Sequence, residues 1–415
     1  MQRPRSRLRL AFLTHEPFFP PSGGGSAEAV YLVEELLRRD HDVHIFCPRL
    51  AEPENVEKRF AVHLHQFSKW KMGRYARLRN VKYLAYPFNL ERMVAAAARD
   101  TKFDLIFSQH AISAVAAGKL KRRLNVPVVM NFPDLLTGFM ETWPAWIAPP
   151  PLIQALERYE ISLPLRYGVD GVLTVSDTLA DMFCERGFAS DRICPIYYGY
   201  DADKFPFVAR AADKSRPPIV VMHGSFDAHH LGNIALGAIR HVTIQKPGTI
   251  FRFVGRQTGS LEAFLRRTQS AIPRFKFETT GFVSYDQVAR HLADATVGMV
   301  PYEESAGTHC AFVAKVVEYV ASGLPSVCTP LTSIQRYFQN EPMIRFSKFE
   351  GQDLGRKIIS WLDESPLNWQ IEACNSAARV QAELDWQPLC RKAVNFIEEI
   401  YARSSNDKNG LGKNH

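Results

Sequence analysis

The stretch around residues 297–328 constrains the fold of this chain more than any other. Residues 297–301 form a short apolar run that ends in proline, as is typical of a buried strand. Apolar side chains then recur at helical spacing from Ala311, and Gly323 followed by a proline ends the predicted helix. Ser326–Cys328 begins a second buried strand. Such a strand–loop–helix–strand unit builds an open parallel sheet, so we predict an α/β fold.

Two charged side chains mark the predicted helix. Lys315 and Glu318 are three residues apart and therefore share one face. In open parallel sheets, ligands bind beyond the carboxyl ends of the strands and face helix N-termini, where the loop 302–310 would lie. A lysine at this place suits a phosphate, and a carboxylate one turn later suits the vicinal hydroxyls of a ribose. Spacing alone fits a plain surface ion pair equally well.

These residues are part of a segment that resembles a known protein family. Residues 315–325 read KVVEYVASGLP and resemble the K-x-x-E-x-x-A-x-G-x-P signature of glycosyltransferase family 4. The resemblance implies retaining enzymes of the GT-B fold, in which two Rossmann-like, doubly wound domains face a central cleft. Further segments resemble the family in its own order over nearly the whole chain, among them residues 102–110, 171–176, 193–205, 251–256 and 276–283.

Length predicts two domains, because 415 residues exceed what one hydrophobic core usually holds. The family resemblance implies that residues 1–200 form a Rossmann-like acceptor domain. A C-terminal helix at residues 386–403 would pack on this domain and complete it. A polar linker at 201–218 ends in Arg-Pro-Pro. Residues 219–385 then form the nucleotide-sugar donor domain, and residues 404–415 a disordered tail.

Composition indicates the cellular compartment and the kind of binding partner. The seven cysteines are scattered without a C-x-x-C pair, which indicates free thiols in a reducing cytosol and argues against a structural zinc. The apolar runs fall short of the roughly 20 residues of a membrane span. A net charge of +8 favours an anionic nucleotide or lipid over nucleic acid, for which the sequence has no motif. We predict a cytoplasmic protein, with a peripheral position on the inner face of the cell membrane as an alternative.

A glycine-rich loop follows the first predicted strand. Its glycines let the backbone approach a ligand at a helix N-terminus. A dinucleotide fingerprint would need glycine where Glu28 stands and an acidic residue where Cys47 closes the next strand, so hydride transfer is disfavoured. The resemblance gives Gly24 and Gly25 a role near the donor phosphates and the acceptor. A plain flexible turn is the alternative.

Residues 68–90 interleave basic and aromatic side chains, an arrangement that suits an anionic membrane surface. The family's N-terminal domain often docks on membranes to reach lipid-linked acceptors. A solvated basic loop is an equal alternative, and single-stranded nucleic acid is the least favoured one. The candidate membrane patch consists of Lys69, Trp70, Lys71, Arg74 and Arg77.

The first half of the chain also contains candidates for the chemical step, and each of them has a structural alternative. His110 ends the strand of residues 102–110, yet a structural histidine would fit there as well. Family members often carry a later histidine near the transferred sugar, whereas this sequence offers Asn131 or Asp134. Residues 137–151, rich in aromatic side chains and proline, are either a lid or acceptor wall or a packed connector.

The donor loop also departs from the family. Residues 224–232 lack the arginine and lysine that clamp the diphosphate in relatives, and they carry histidines instead. We expect no metal, because no carboxylate accompanies these histidines at ligand spacing. We then expect the backbone of Gly224 and Ser225, together with Lys315 and Arg256, to bind the phosphates. Phe282 and Val283, in the loop after the predicted strand that begins at residue 276, are expected to contact the nucleobase. The donor-binding candidates are Gly224, Ser225, Arg256, Phe282, Val283, Lys315 and Glu318.

The sequence therefore predicts a retaining glycosyltransferase without a cofactor. It would move a sugar from UDP- or GDP-sugar to a hydroxyl of a glycan, lipid-linked glycan or other small acceptor in polysaccharide or glycolipid biosynthesis. Glu318 would bind the ribose, so Glu318→Ala should weaken donor binding with little effect on folding. Lys315 would neutralise the departing diphosphate.

One further departure keeps two alternatives open. Relatives often carry E-x7-E, but Cys310 stands at the first position, and only Glu303 or Glu304 could substitute. A catalytically inactive GT-B scaffold or binding protein, and a GT-B sugar-nucleotide epimerase or hydrolase, are therefore retained.

Overall fold

The computed structural model describes residues 7–19, 24–50, 52–67, 79–143, 145–211 and 215–411, with the backbone alone for 24–26, 79–84 and 407–411. The chain divides into two compact units. Unit 1 takes its described residues from Met1–Thr137, Gln154–Tyr197 and Gln387–His415, and unit 2 from Gly138–Ile153 and Tyr198–Trp386.

Unit 1 is built on a parallel sheet that has, in its described part, seven strands in the order β3-β2-β1-β4-β5-β6-β7. The strands are β1 (Arg9–Thr14), β2 (Asp42–Pro48), β3 (His63–Phe67), β4 (Leu105–Gln109), β5 (Val128–Phe132), β6 (Gly171–Thr174) and β7 (Ile193–Pro195). The central strands β4 and β5 are buried over their whole length, as expected when helices cover both faces of a parallel sheet.

Helices connect these strands. They are α1 (Gly24–Arg38), α2 (Pro53–Arg59), α3 (Arg79–Ala97), α4 (His110–Leu124), α5 (Pro150–Tyr167) and α6 (Asp177–Glu185). The Ser176 side chain caps the start of α6, where it accepts a hydrogen bond from the Leu179 N–H at 3.2 Å.

Unit 2 repeats this architecture with a parallel sheet of six described strands in the order β10-β9-β8-β11-β12-β13. The strands are β8 (Ile219–His223), β9 (Ile250–Val254), β10 (Lys276–Thr279), β11 (Val297–Val300), β12 (Ser326–Cys328) and β13 (Ile344–Phe346). The helices are α7 (Asn233–Gln245), α8 (Gly259–Ala271), α9 (Tyr285–Ala293), α10 (Ala306–Cys310), α11 (Ala314–Ala321), α12 (Thr332–Tyr337), α13 (Gly351–Leu362) and α14 (Gln370–Leu384), and the last helix of the chain is α15 (Trp386–Leu411).

Each sheet has a point where the strand order reverses, between β1 and β4 in unit 1 and between β8 and β11 in unit 2. Open α/β sheets bind ligands beyond the carboxyl ends of the strands at this point. The Gly24–Gly25 segment follows β1, and the loops beginning at Gly224 and Tyr302 follow β8 and β11. These three segments are therefore where the topology predicts that a ligand binds.

The structure differs from the sequence prediction in several segments. Gly24 and Gly25, predicted as part of a loop, begin helix α1. The predicted loop 302–310 contains α10, whose N-terminus is closed by reciprocal hydrogen bonds between Ser305 and Thr308. Residues 404–411 continue α15 instead of forming a disordered tail, since Ser404 and its neighbour Arg403 contact aspartates of unit 1. Residues 138–153 belong to unit 2, although the prediction placed them in the first domain.

All seven cysteines are free thiols, as the sequence predicted. In the described part of the chain, no helix is both long and apolar enough to cross a membrane.

Candidate active site

Two glycine turns meet at the carboxyl edge of the unit 2 sheet. Gly224 follows β8 with φ of +102°, and its N–H donates to the Val254 carbonyl at 2.9 Å. Gly255 has φ of +151°, and a Cβ there would lie only 2.2 Å from the Gly224 carbonyl oxygen. Glycine at both positions thus lets the ends of β8 and β9 pack backbone against backbone, which leaves the edge open to a ligand.

Lys315 reaches this edge from the start of α11, where the sequence predicted it. Its Nζ lies 3.2 Å from Tyr302 Oη and 3.2 Å from His230 Nε2. A Cβ on Gly224 would come within 3.2 Å of the lysine Cε, so the missing side chain at 224 leaves room for the lysine. The ammonium is held beside the turn at the switch point, where an anionic group of a ligand would be stabilised.

Glu318 lies one turn further along α11 and is only 5% exposed, so it is not part of a plain surface ion pair. Its Oε2 hydrogen-bonds to Nε2 of His223, the last residue of β8. The His223 ring packs edge-on against Tyr319, with ring centres 5.0 Å apart. His223 therefore fixes one carboxylate oxygen and leaves Oε1 for a ligand.

This contact revises one expectation. Glu318→Ala would remove the hydrogen-bond partner of a buried histidine, which typically costs about 1–3 kcal/mol of stability. Alanine at this position is therefore not neutral for folding. Glu318→Gln keeps an acceptor oxygen toward His223 and is the better probe of ligand binding.

A histidine cluster supports Lys315. The rings of His229 and His230 lie 4.0 Å apart, and a carboxylate oxygen of Asp227 and a nitrogen of each ring all lie within 4.8 Å of one another. The prediction that no carboxylate accompanies these histidines is therefore wrong, because the loop folds Asp227 back onto them. Both nitrogens of His230 have partners, the Asp227 N–H at Nδ1 and the Lys315 ammonium at Nε2, so this cluster suits the lysine better than a metal.

Glu303, a predicted substitute for the missing glutamate, has a structural partner instead. Its Oε1 accepts from the Ile234 N–H at 2.9 Å, at the start of α7. A carboxylate at a helix N-terminus satisfies free N–H groups and favours the helix dipole. Glu304 is more exposed and lies 3.5 Å from His309 Nε2.

The aromatic segment predicted as a lid or connector packs within unit 2. The Phe139 ring lies 5.0 Å from the His229 ring. The Glu141 carboxylate accepts from the Ala306 N–H at 2.8 Å, at the first residue of α10. A Cβ on Gly307 would lie 2.4 Å from the Phe139 backbone nitrogen, so the segment packs closely on α10. It therefore borders the loop of His229 and His230, and the second of these histidines contacts Lys315.

The remaining donor candidates surround the glycine turns. Ser225 follows Gly224 and is half-buried, while Arg256 follows Gly255 and is exposed. A bridge between Gly255 and Gly281 brings the loop of Phe282 and Val283 to the same edge. Phe282 is 72% exposed, which fits a ring available for stacking.

Unit 1 holds a buried acid that the sequence analysis noted only as a departure from a glycine motif. Glu28 lies in α1, close after Gly24 and Gly25, which begin this helix. It is 4% exposed, and its Oε1 accepts from Asn131 Nδ2 at 2.9 Å. Burial, aided by the negative charge of Asp134, raises the pKa of Glu28 to about 8. Glu28 is therefore mainly protonated at neutral pH.

His110, another candidate, begins α4 directly after β4. Its φ is +67°, an uncommon value for a residue other than glycine and one that tends to be found at functional sites. Its ring lies edge-on to His15 at 5.0 Å. The membrane candidates Lys69, Trp70, Lys71, Arg74 and Arg77 all lie outside the described residues.

The fold and the edge residues define a class of protein. Two doubly wound parallel α/β units, one of them with a lysine and a glutamate at a glycine-lined edge, form a GT-B glycosyltransferase. The profile described as Glycosyltransferase Family 4 matches residues 22–204, and that of Glycosyl transferases group 1 matches residues 217–364. The chain belongs to this glycosyltransferase family. Among curated proteins, no sequence matches it significantly.

Solved structures have the same fold at low identity. Sucrose-phosphate synthase from Thermosynechococcus elongatus superposes with a TM-score of 0.74 at 16% identity, over 96% of this chain and all of that one. HepE from Anabaena, in complex with UDP and glucose, gives 0.71 at 16% identity, over 95% of this chain and all of that one. WaaG, a glycosyltransferase involved in lipopolysaccharide biosynthesis, gives 0.64 at 15% identity, over 94% and 99%.

Proposed function

We propose that this glycosyltransferase uses a nucleotide sugar, with UDP or GDP as the leaving group, and binds it at the glycine-lined edge of unit 2. The observation that carries this proposal is the Lys315 ammonium, held beside the Gly224 turn while Glu318 lies one helical turn away. The fold neighbour HepE was crystallised with UDP and glucose. That neighbour supports the ligand class, and the side chains here supply matching chemistry.

Each part of the donor meets a suitable group. Lys315 stabilises the negative charge that develops on the departing diphosphate, assisted by the backbone of Gly224 and Ser225 and by Arg256. Oε1 of Glu318 accepts hydrogen bonds from the ribose hydroxyls while His223 holds Oε2. Phe282 and Val283 lie beside the nucleobase. Since no cofactor is required for this chemistry, the nucleotide sugar is a co-substrate.

We also propose a stereochemistry and an acceptor for the reaction. We propose retention of the anomeric configuration, with a leaving phosphate oxygen accepting the proton of the attacking hydroxyl, so no dedicated carboxylate pair is needed. The acceptor is the hydroxyl of a glycan or lipid-linked glycan in polysaccharide or glycolipid biosynthesis. The fold neighbour WaaG acts in lipopolysaccharide biosynthesis, which supports this class.

A thermal-shift panel with UDP, GDP, ADP, CDP and dTDP tests the donor site. We expect one diphosphate to raise the melting temperature, since a ligand at about 100 times its Kd adds about 2.7 kcal/mol of stability. Glu318→Gln should bind that diphosphate about tenfold more weakly, because it loses a charged acceptor for the ribose. Silence across the whole panel would refute the donor site and make the inactive scaffold the better description.

Membrane binding is a separate proposal, which rests on the basic and aromatic sequence of residues 68–90. Changing Lys69, Lys71, Arg74 and Arg77 to serine should weaken sedimentation with phosphatidylserine vesicles, most strongly at low salt, as each basic residue contributes about 1 kcal/mol. The control changes four exposed arginines of unit 2 to serine, Arg240, Arg266, Arg274 and Arg290. If both variants lose vesicle binding equally, or if the parent protein does not bind vesicles, residues 68–90 do not form a specific membrane-binding patch.

A further inference from the structure

A second cluster of histidines lies in unit 1, at the edge of its sheet. Asp42 and His44 are two residues apart on β2, so their side chains point to the same face. His63 opens β3, the edge strand, and is paired directly with His44 in the parallel register. The strand geometry thus brings one carboxylate and two imidazoles together on one face.

Their spacing matches a tetrahedral metal site. Oδ1 of Asp42 lies 3.2 Å from Nε2 of His63 and 3.6 Å from Nε2 of His44. All three ligand atoms lie within 4.8 Å of one another. Zinc bonds of about 2.0–2.2 Å in a tetrahedron place ligand atoms about 3.3–3.6 Å apart. The His44 and His63 rings are stacked, with centres 4.3 Å apart and planes at 24°, so the His63 side chain must rotate before both nitrogens can point at one ion. Its side chain is 60% exposed and has room for this rotation.

Two of the three side chains have a partner on their other polar atom. Arg9 Nε donates to Asp42 Oδ2 at 2.7 Å, which leaves Oδ1 for a metal. His44 Nδ1 lies 3.0 Å from His65 Nε2, and in the tautomer in which Nδ1–H donates to His65 the His44 Nε2 lone pair is available to a metal. Metal-binding histidines usually have such a partner on their second nitrogen.

We propose that Asp42, His44 and His63 bind a divalent transition-metal ion of the zinc class, with water as a fourth ligand. Imidazole and carboxylate together suit such a borderline ion. Asp42 and His63 are the first residues of their strands, so the site lies at the amino ends, opposite the edge where such sheets bind substrates. Its role is structural, because the ion ties edge strand β3 to β2. The His63 side chain is 60% exposed, which gives the ion a route in.

The test uses the full, untagged protein after dialysis against EDTA. Calorimetric titration with ZnCl₂ should show one bound ion per chain, and Co²⁺ should give the intense visible absorption of tetrahedral coordination. His63→Ala, at an exposed position where the fold tolerates change, and Asp42→Asn should each weaken Zn²⁺ binding by more than about tenfold. Zn²⁺ should raise the melting temperature of the parent protein but not that of His63→Ala.

Two controls make the result decisive. His291→Ala removes a half-buried histidine on α9 and should bind Zn²⁺ like the parent. His229→Ala disrupts the cluster beside Lys315 and should also retain the tight site. The proposal is overturned if the parent binds no Zn²⁺, if His63→Ala binds it unchanged, or if only His229→Ala loses it.

Discussion

Replacing Lys315 by methionine is expected to lower kcat for sugar transfer by roughly 100- to 1000-fold, the usual cost of removing one group that stabilises developing charge. The leaving diphosphate gains charge as the glycosidic bond breaks, and the Lys315 ammonium stands beside the Gly224 turn where that charge would lie. Methionine keeps most of the side-chain length and its packing against Tyr302 but removes the charge.

The measurement is steady-state transfer from the diphosphate donor that the thermal-shift panel selects. Lys246→Met is the matched control, because it removes an ammonium from an exposed ion pair with Asp363 at the end of α7. The control should keep kcat and KM, and both variants should melt near the parent temperature. A Lys315→Met variant with unchanged kcat and raised KM would show that Lys315 only binds the donor and does not stabilise the leaving group.

Periodicity predicted part of the elements and part of the site, but it missed α10 and the last residues of α15. The helix carrying Lys315 and Glu318 and the parallel sheet around it were predicted because apolar spacing is local, whereas two such domains were expected from the family resemblance. The partner of Glu318 was not predictable in this way. His223 is 95 residues away in sequence, and only the packing of α11 across the end of β8 brings the two together.

The buried side-chain clusters of unit 1 were not predicted from the sequence, for a related reason. Carboxylates are rarely buried without a cation, so a glutamate in α1 indicates a solvated face rather than a contact with Asn131 of β5. The Asp42–His44–His63 cluster depends on the register between β2 and β3, and sequence alone does not fix which residues of parallel strands lie opposite each other. The sequence argument against zinc rested on cysteine spacing and did not consider histidines brought together by strand pairing.

Glu28→Gln is expected to change how stability depends on pH. The pKa of Glu28 is about 8 in the folded protein, compared with the ordinary value of 4.5 in the unfolded chain. Between these values the unfolded chain has released the proton and the folded protein keeps it, so the unfolded state binds fewer protons. The contribution of Glu28 to the free energy of unfolding therefore falls with rising pH, by about 1.4 kcal/mol per unit, and is constant below pH 4.5.

Glutamine mimics the protonated acid and does not titrate. Its carbonyl oxygen keeps the hydrogen bond from Asn131, so the variant should match the parent near pH 4.5 and be more stable by about 3 kcal/mol at pH 7. Urea unfolding at several pH values measures this difference, and subtracting the two proteins removes the titrations that they share. Glu54→Gln, at an exposed position in the first turn of α2, is the control and should follow the parent.

Parallel stability curves for the parent and Glu28→Gln from pH 5 to pH 8 would mean that Glu28 is ionised in the folded protein. That result would require a compensating cation near α1, whereas the Glu28 Oε2 atom is buried without a hydrogen-bond partner among the described residues. A widening difference would instead establish a neutral carboxyl group close after the glycine segment. A pKa raised this far is typical of groups at functional sites, so Glu28 would then join the functional candidates of unit 1.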